Sequence, residues 1–536
     1  MGLDKIGNQL ILLSRHVHEI GFWRRSAPNP NKNPLNFVIR NPMRQIINPQ
    51  LQFGEQDISA IWLDPKSRDD IPQLLRGLQH IYTTPAVRER VFAILAEVIP
   101  DGVNGKANAG TGRPGMEQWK ILVLGVLRLG LNTDYDRIHE LANQHTTIRQ
   151  MLGHTGWADD ESNRYQLQTI KDNLRLFTPE ILDRINQEVV RAGHQLVKKS
   201  PDAPLQVRVD SFVSKTDVHF PTDINLLWDA IRKLIEIIAG LCDDVGIAGW
   251  RQSAYQLRQF KNLYRQIQRL KHSTAKDADK RAAKREDIRQ AHRDYLVRAE
   301  ELLTRVRETR VQVLLFNVPA RLLEQIDLYL SDAERQIDQI SRRVLYGQII
   351  PHAEKVFSLF ERHTEWIVKG KAGVLVELGL RVAVVEDQYR FILYHQVMEK
   401  TTDDQVAVGL IEQAKKRFPT IASASFDKGF HSPANQTALA ALIPKVVLPR
   451  KGKLSQAHRE HEHDPEFIHL RHQHSAVESA INALQVHGLD RCPDHGIDGF
   501  KRYAALAVVA RNIQRLGAIL QQQEADRRRG PYQLAA

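Results

Sequence analysis

LQVRVDSFV, residues 205–213, is rich in Val and Phe and alternates apolar with polar side chains, the pattern of a half-buried strand. Asp210 stands in the middle of this apolar run, where an ionised carboxylate is costly unless it is paired or binds a metal. Directly after it, PTDINLLWDAIRKLIEIIAGL (221–241) has helical periodicity, with Pro221 and Thr222 at its start and Asp223 in the first turn. Strand signals return only at GVLVELGLRVAVVED (373–387) and YRFILYHQVME (389–399), joined by a short turn at Asp387-Gln388, a hairpin signature. An amphipathic helix is predicted at 403–417, a strand at 420–427 (TIASASFD) ending on Asp427, a helix at 432–442 and a strand at 445–449. Residues 472–487 and 499–521 read as helices, and 452–470 as a polar, His-rich loop.

With 221–345 removed, the order is β-β-β-α-β-α-β-α. An antiparallel hairpin set followed by βαβ units predicts a mixed five-stranded sheet flanked by helices, the element order of an RNase H-like α/β fold. The expected organisation is a poorly defined N-terminal region (1–112), a helical, candidate DNA-binding domain (113–200), a catalytic domain (205–222 and 371–521), a helical insertion (223–370) and a tail (522–536). Within 113–200, helices are predicted at 117–131, 134–152, 163–175 and 179–199. They fit either a DNA-binding module or a bundle packed on the core, since no recognition helix can be named.

The insertion is charged. Between Arg251 and Arg310 stand 17 Lys or Arg against 8 Asp or Glu, with apolar residues at helical spacing, the pattern of long antiparallel helices. Such a run is either a solvated helix face or an arm that meets DNA phosphates, with Arg281, Lys284 and Arg285 as candidate contacts. The whole chain of 536 residues carries a formal charge of +12, which favours a polyanionic partner. Cys242 and Cys492 match no CxxC spacing, suiting a reducing compartment without disulfides. No stretch reads as a signal peptide or membrane span, so a cytoplasmic location without membrane contact is expected.

Asp210, Asp427 and Glu478, the last within HSAVESAINAL (474–484), fall on two strands and the helix that would cross them. Phosphodiester cleavage needs an activated water or 3′-hydroxyl and a stabilised leaving oxygen, and two divalent ions about 3.5–4 Å apart serve both. Mg²⁺ prefers oxygen ligands, so three carboxylates suit it, with Mn²⁺ as the expected substitute. The histidines at 458, 461, 463, 469, 472 and 474 invite a zinc reading. No Cys lies among them and no HxxxH pattern is completed by a third ligand, so a polar loop near DNA is preferred.

At these residues the chain resembles insertion-sequence transposases with a DDE triad, the ISNCY group in particular. The resemblance rests on VRVDSFVSKTDVHFPTDINLLWDA (207–230), SFDKGFHSP (425–433), HSAVESAINALQVHGLDRCPDHGIDGFKRY (474–503) and RPGMEQWKILVLGVLRLGLNTDYDRIHELA (113–142). It implies cut-and-join chemistry on the terminal inverted repeats of a bacterial element and on target DNA, with Mg²⁺ as cofactor. Near the triad, the candidate DNA contacts are Lys428, Arg471, which can grip a phosphate, and His474, as a cation if protonated or as a neutral hydrogen-bond donor. Where related transposases carry a Tyr-Arg-Glu-Lys signature, this chain has Arg471, His474 and, past Glu478, Gln485, so those contacts do not simply carry over. Two element ends call for two sites, so a homodimer on DNA is expected. The competing readings are an inactive, transposase-derived DNA-binding protein, a Mg²⁺-dependent RNase H-like nuclease and, from the insertion alone, a helical scaffold.

Overall fold

The computed structural model describes residues 45–47, 56–98, 115–154, 164–272, 277–368, 375–452 and 455–529. Its centre is a mixed sheet of seven strands: β1 (Leu205–Thr216), β2 (Glu365–Val368), β3 (Val376–Asp387), β4 (Ile392–Met398), β5 (Ile421–Phe426), β6 (Lys445–Val447) and β7 (Arg491–Cys492). The central path runs β2-β3-β1-β5-β6, with β4 on the far part of β3 and β7 on the end of β1. The strand β1 is antiparallel to β3 and parallel to β5, β5 is parallel to β6, and β3 is antiparallel to β4.

Five of these strands are those expected from the pattern, and the count of five is corrected to seven. The additions are the four-residue β2 and the two-residue β7, too short to show periodicity, so only pairing with β3 and β1 defines them. The β3–β4 turn is set by Asp387, whose Oδ1 accepts from the backbone N–H of Tyr389 and of Phe391, each at 2.9 Å. Arg390 there has φ of 69°, the left-handed residue such a loop needs. His194 Nε2 donates to Asp387 Oδ2 at 2.6 Å, fastening the turn to a helix behind the sheet.

Among the described residues, seven α-helices precede β1: α1 (Asp70–Thr83), α2 (Pro85–Leu95), α3 (Gln118–Gly130), α4 (Tyr135–Gln144), α5 (Thr146–Met151), α6 (Leu167–Leu174) and α7 (Pro179–Val197). The single helix expected over 134–152 is broken at His145, which is extended (φ −84°, ψ 111°) and caps α5 with its own ring nitrogen. Among the described residues, those of 113–200 have no core of their own. Their apolar side chains, with those of α1 and α2, form one continuous cluster with the sheet and the last helix, α17 (Gly496–Arg529). The α3 helix is buried on all sides, so no face of it is open to a DNA groove. At Gly77 of α1 and Gly517 of α17 the helices meet backbone to backbone: an added Cβ would sit 2.2 Å from Ile513 O and 1.8 Å from Gln73 O.

The insertion between β1 and β2 comprises α8 (Asp223–Val245), α9 (Ser253–His272), α10 (Ala278–Val313) and α11 (Ala320–Ile340). They pack on one another around a second, separate apolar cluster, with Phe260 stacked on Tyr295 at 4.4 Å between ring centroids. Beyond β4 come α12 (Asp403–Arg417), α13 (Pro433–Leu442), α14 (Gln456–Glu462), α15 (Pro465–His474) and α16 (Ala476–Leu484). The His-rich stretch expected as a loop is thus largely helical, and the helix expected over 472–487 is interrupted at Ser475. No described helix is long and apolar enough to cross a membrane.

Candidate active site

Parallel pairing of β1 with β5 sets Val209 opposite Phe426. The next residue on each strand is a carboxylate, Asp210 and Asp427, and β5 ends there while β1 runs on beside β3. Side chains alternate along β1, so Val207 and Val209 point into the core while Arg208 and Asp210 share the other face. The helices α15 and α16 lie over that face: α16 packs on β1 and α15 on β5 and β6. Glu478, exposed in the first turn of α16, joins the two strand carboxylates there.

The Asp210 carboxyl is raised to about 6, mainly by burial, with Asp427, Asp403 and Glu478 acting in the same direction. The Ser211 backbone N–H, donating to Asp210 Oδ1 at 2.7 Å, opposes the rise. Asp427 and Glu478 are therefore both within electrostatic reach of Asp210. They are not drawn to ligand distance: among the described residues no group of three His, Cys, Asp or Glu is close enough to hold a metal ion.

Asp403 is the acid that sequence reasoning missed. It is the first residue of α12, whose start is fixed by Gln405 Oε1 accepting from the Thr402 backbone N–H at 2.9 Å. Ser211 donates its hydroxyl to Asp403 Oδ1 at 2.7 Å, so the residue after Asp210 holds the fourth carboxylate to β1. Gly429 marks the crowding: a Cβ there would lie 3.1 Å from Asp403 Oδ2 and 3.6 Å from Asp427 Oδ2. An Asp pair opening a helix reads as dipole complement, which hid its position. The usable signal was topological, since α12 follows the hairpin strand β4 and returns its N-terminus to β1.

The basic residues expected here fare differently. His474 does not present a cation. Its Nδ1 meets Ser425 Oγ at 3.1 Å, and burial lowers the imidazole below its ordinary value, so it is neutral at pH 7 and joins α15 to β5. Arg471 is exposed on the last turn of α15, and Lys428 is exposed in the turn after Asp427. Lys451 adds a cation the sequence did not single out, donating to Gly429 O at 2.7 Å. Arg208 pairs with Glu386 at 3.2 Å; burial nevertheless raises that carboxyl to about 7. Of the His cluster, the side chains of 458 and 461 lie outside the described residues. His469 and Gln473 contact each other, and no zinc-like grouping occurs among the described residues.

In the insertion, Arg293, Arg298, Arg307 and Arg310 pair with Glu286, Glu301, Glu334 and Asp327. Those cations belong to a solvated, self-neutralised face. Arg281, Lys284 and Arg285 make no ion pair among the described residues.

Comparison of the chain with protein-family models, with curated proteins and with solved structures finds no match.

Proposed function

We propose that the chain is a DDE-type transposase with an RNase H-like core, acting on double-stranded DNA through Asp210, Asp427 and Glu478. The observation that carries this is the β1–β5 register, which sets Asp210 and Asp427 side by side under the helix bearing Glu478. The strand order β4-β3-β1-β5-β6, with its antiparallel and parallel pairings, supports the RNase H-like reading. The resemblance over 207–230, 425–433 and 474–503 points to transposition among the reactions that fold can serve.

The donor set fits Mg²⁺ or Mn²⁺. It is all carboxylate oxygen, and the Asp210 carboxyl is raised first by burial and then by three neighbouring acids, a cluster that a cation would neutralise. Asp210, Asp427 and Glu478 would hold two such ions, with Asp403 beside them. When bound, these supply charge stabilisation to the attacking and leaving oxygens of the phosphodiester. The protein's part is positional. Strand pairing fixes two carboxylates, α16 brings the third, and Ser211 orients Asp403. Lys428, Lys451 and Arg471 lie on the rim, where cations steer a phosphate backbone without reading sequence.

The test is incubation of the protein and Mg²⁺ with the ends of the element that encodes it, followed by mapping of cut and joined strands. Nicks at the element ends followed by strand joining support transposition. Cuts without joining favour the RNase H-like nuclease, and binding without cuts favours the inactive regulator.

A further inference from the structure

A cavity of about 550 Å³ opens between the insertion and the short strand β2. That volume lies within the range of small-molecule sites and is far too small for a double helix. One wall is aromatic: Trp366 of β2 has Phe220 at 5.5 Å and Phe357 at 5.6 Å between ring centroids. Phe220 is 59% exposed on the link from β1 to the insertion. The other wall is cationic. Arg343 is neutralised by Asp223 at 2.7 Å, whereas Lys271 and Lys355 make no ion pair among the described residues. A purely apolar ligand would leave both ammonium groups unused, and a simple anion would leave the aromatic wall unused. A planar ring attached to a phosphate uses both, since bases stack on aromatic faces whatever their identity. The cavity lies past the end of β1, roughly 20 Å of strand beyond Asp210.

We infer that this cavity takes an unpaired nucleotide of a DNA strand, its base against Phe220, Trp366 and Phe357 and its phosphate on Lys271 and Lys355. The inference deepens the proposed DNA-processing function and rests on it.

The experiment measures anisotropy of a labelled single-stranded oligonucleotide of about twelve residues on the full chain, with deoxyadenosine monophosphate and inorganic phosphate as competitors. Phe220→Ala and Lys355→Glu should each weaken oligonucleotide binding at least fivefold, Phe220→Tyr should restore it, and the mononucleotide should compete far better than phosphate. Circular dichroism of each variant checks the fold, which the exposed position of Phe220 should leave intact. Equal binding by wild type and Phe220→Ala overturns the inference, as does competition by phosphate equal to that by the mononucleotide, or no binding at all. Cleavage of element-end duplex is followed in parallel, with Asp210→Asn as the inactive control. Cleavage by wild type with unchanged oligonucleotide binding by Phe220→Ala removes the pocket and leaves the transposase reading. Pocket binding without cleavage does the reverse.

Discussion

Ser211 donates its hydroxyl to Asp403 Oδ1 at 2.7 Å, linking the strand that carries Asp210 to the N-terminus of α12. A hydrogen bond to a carboxylate beside a metal-binding cluster orients that carboxylate and sets its share of the site's charge. Asp403→Ala should lower element-end cleavage by roughly 10- to 100-fold, the usual effect of losing such a partner. Ser211→Ala should have a smaller effect, and extra Mg²⁺ should recover part of either loss. Titrating Mg²⁺ against cleavage rate checks this; an unchanged Mg²⁺ profile in Asp403→Ala would place the residue outside the site.

Asp210→Asn, Asp427→Asn and Glu478→Gln should each abolish cleavage and leave DNA affinity within about twofold, because phosphate contacts are made elsewhere. Gel shifts and end mapping on the same samples separate the two effects. Strong residual cleavage in Glu478→Gln would remove that residue from the triad.

The raised Asp210 carboxyl makes a pH prediction for the metal-free protein. Its folded pKa, about 6, lies above the ordinary 3.8, so between those values the folded state binds more protons than the unfolded. Stability from this group is therefore full below pH 4 and lost as pH rises through 6, a loss of order 2–3 kcal/mol by pH 7. Glu386, raised to about 7, acts in the same direction. Buried neutral histidines such as His292 and His395, each lowered to about 4, act oppositely. Total stability hence conceals the effect, and the difference between Asp210→Asn and wild type reveals it. In EDTA the variant should gain melting temperature relative to wild type as pH rises from 4 to 7, and Mg²⁺ should raise wild type alone. A pH-independent difference would contradict the assigned burial.

Much of the fold was legible because its long strands and helices carry their own periodicity: α12 spans the residues expected of it, and β1 starts where expected. What was not legible depended on distant partners. The strand β2 exists through its register with β3, Glu365 opposite Gly379, and no four-residue pattern announces that. Asp210, Asp427 and Glu478 were visible because a carboxylate in an apolar strand, at a strand end and on a crossing helix is chemically informative. Asp403 was hidden by a bland local explanation, and which form of His474 is present could not be read because sequence does not show burial. Of the two readings of 113–200, the packing favours the bundle set against the core, since α3 is apolar enough to sit inside the shared cluster.

In the insertion, the triple reversal Arg281→Glu, Lys284→Glu, Arg285→Glu should weaken duplex binding and flatten its dependence on salt. Every phosphate that the arm no longer neutralises takes close to one unit from the slope of log K against log salt. The same reversal at the ion-paired Arg298 and Arg307 should change the slope little, because those cations already face Glu301 and Glu334. Equal slopes for both sets would assign the entire face to solvent.

Assembly follows from the same chemistry. One acidic cluster can serve one scissile phosphate at a time, whereas transposition processes two element ends and joins both to a target. Two sites held in fixed relation are needed, and two-fold symmetry is the commonest way for identical chains to supply them. The turn between α10 and α11 leaves Leu314, Leu315 and Phe316 exposed, Leu315 by 87%, and Val311 is exposed just before it. Such a patch at the turn between two helices of the insertion suits contact with a second copy of the chain. We expect mass measurement by light scattering to give two chains per complex when element-end DNA is present. Leu315→Asp should halve that stoichiometry and suppress joining while leaving single-end binding in place. A cleavage-competent complex with one chain and two DNA ends would overturn the dimer, and a dimer indifferent to Leu315→Asp would move the contact elsewhere.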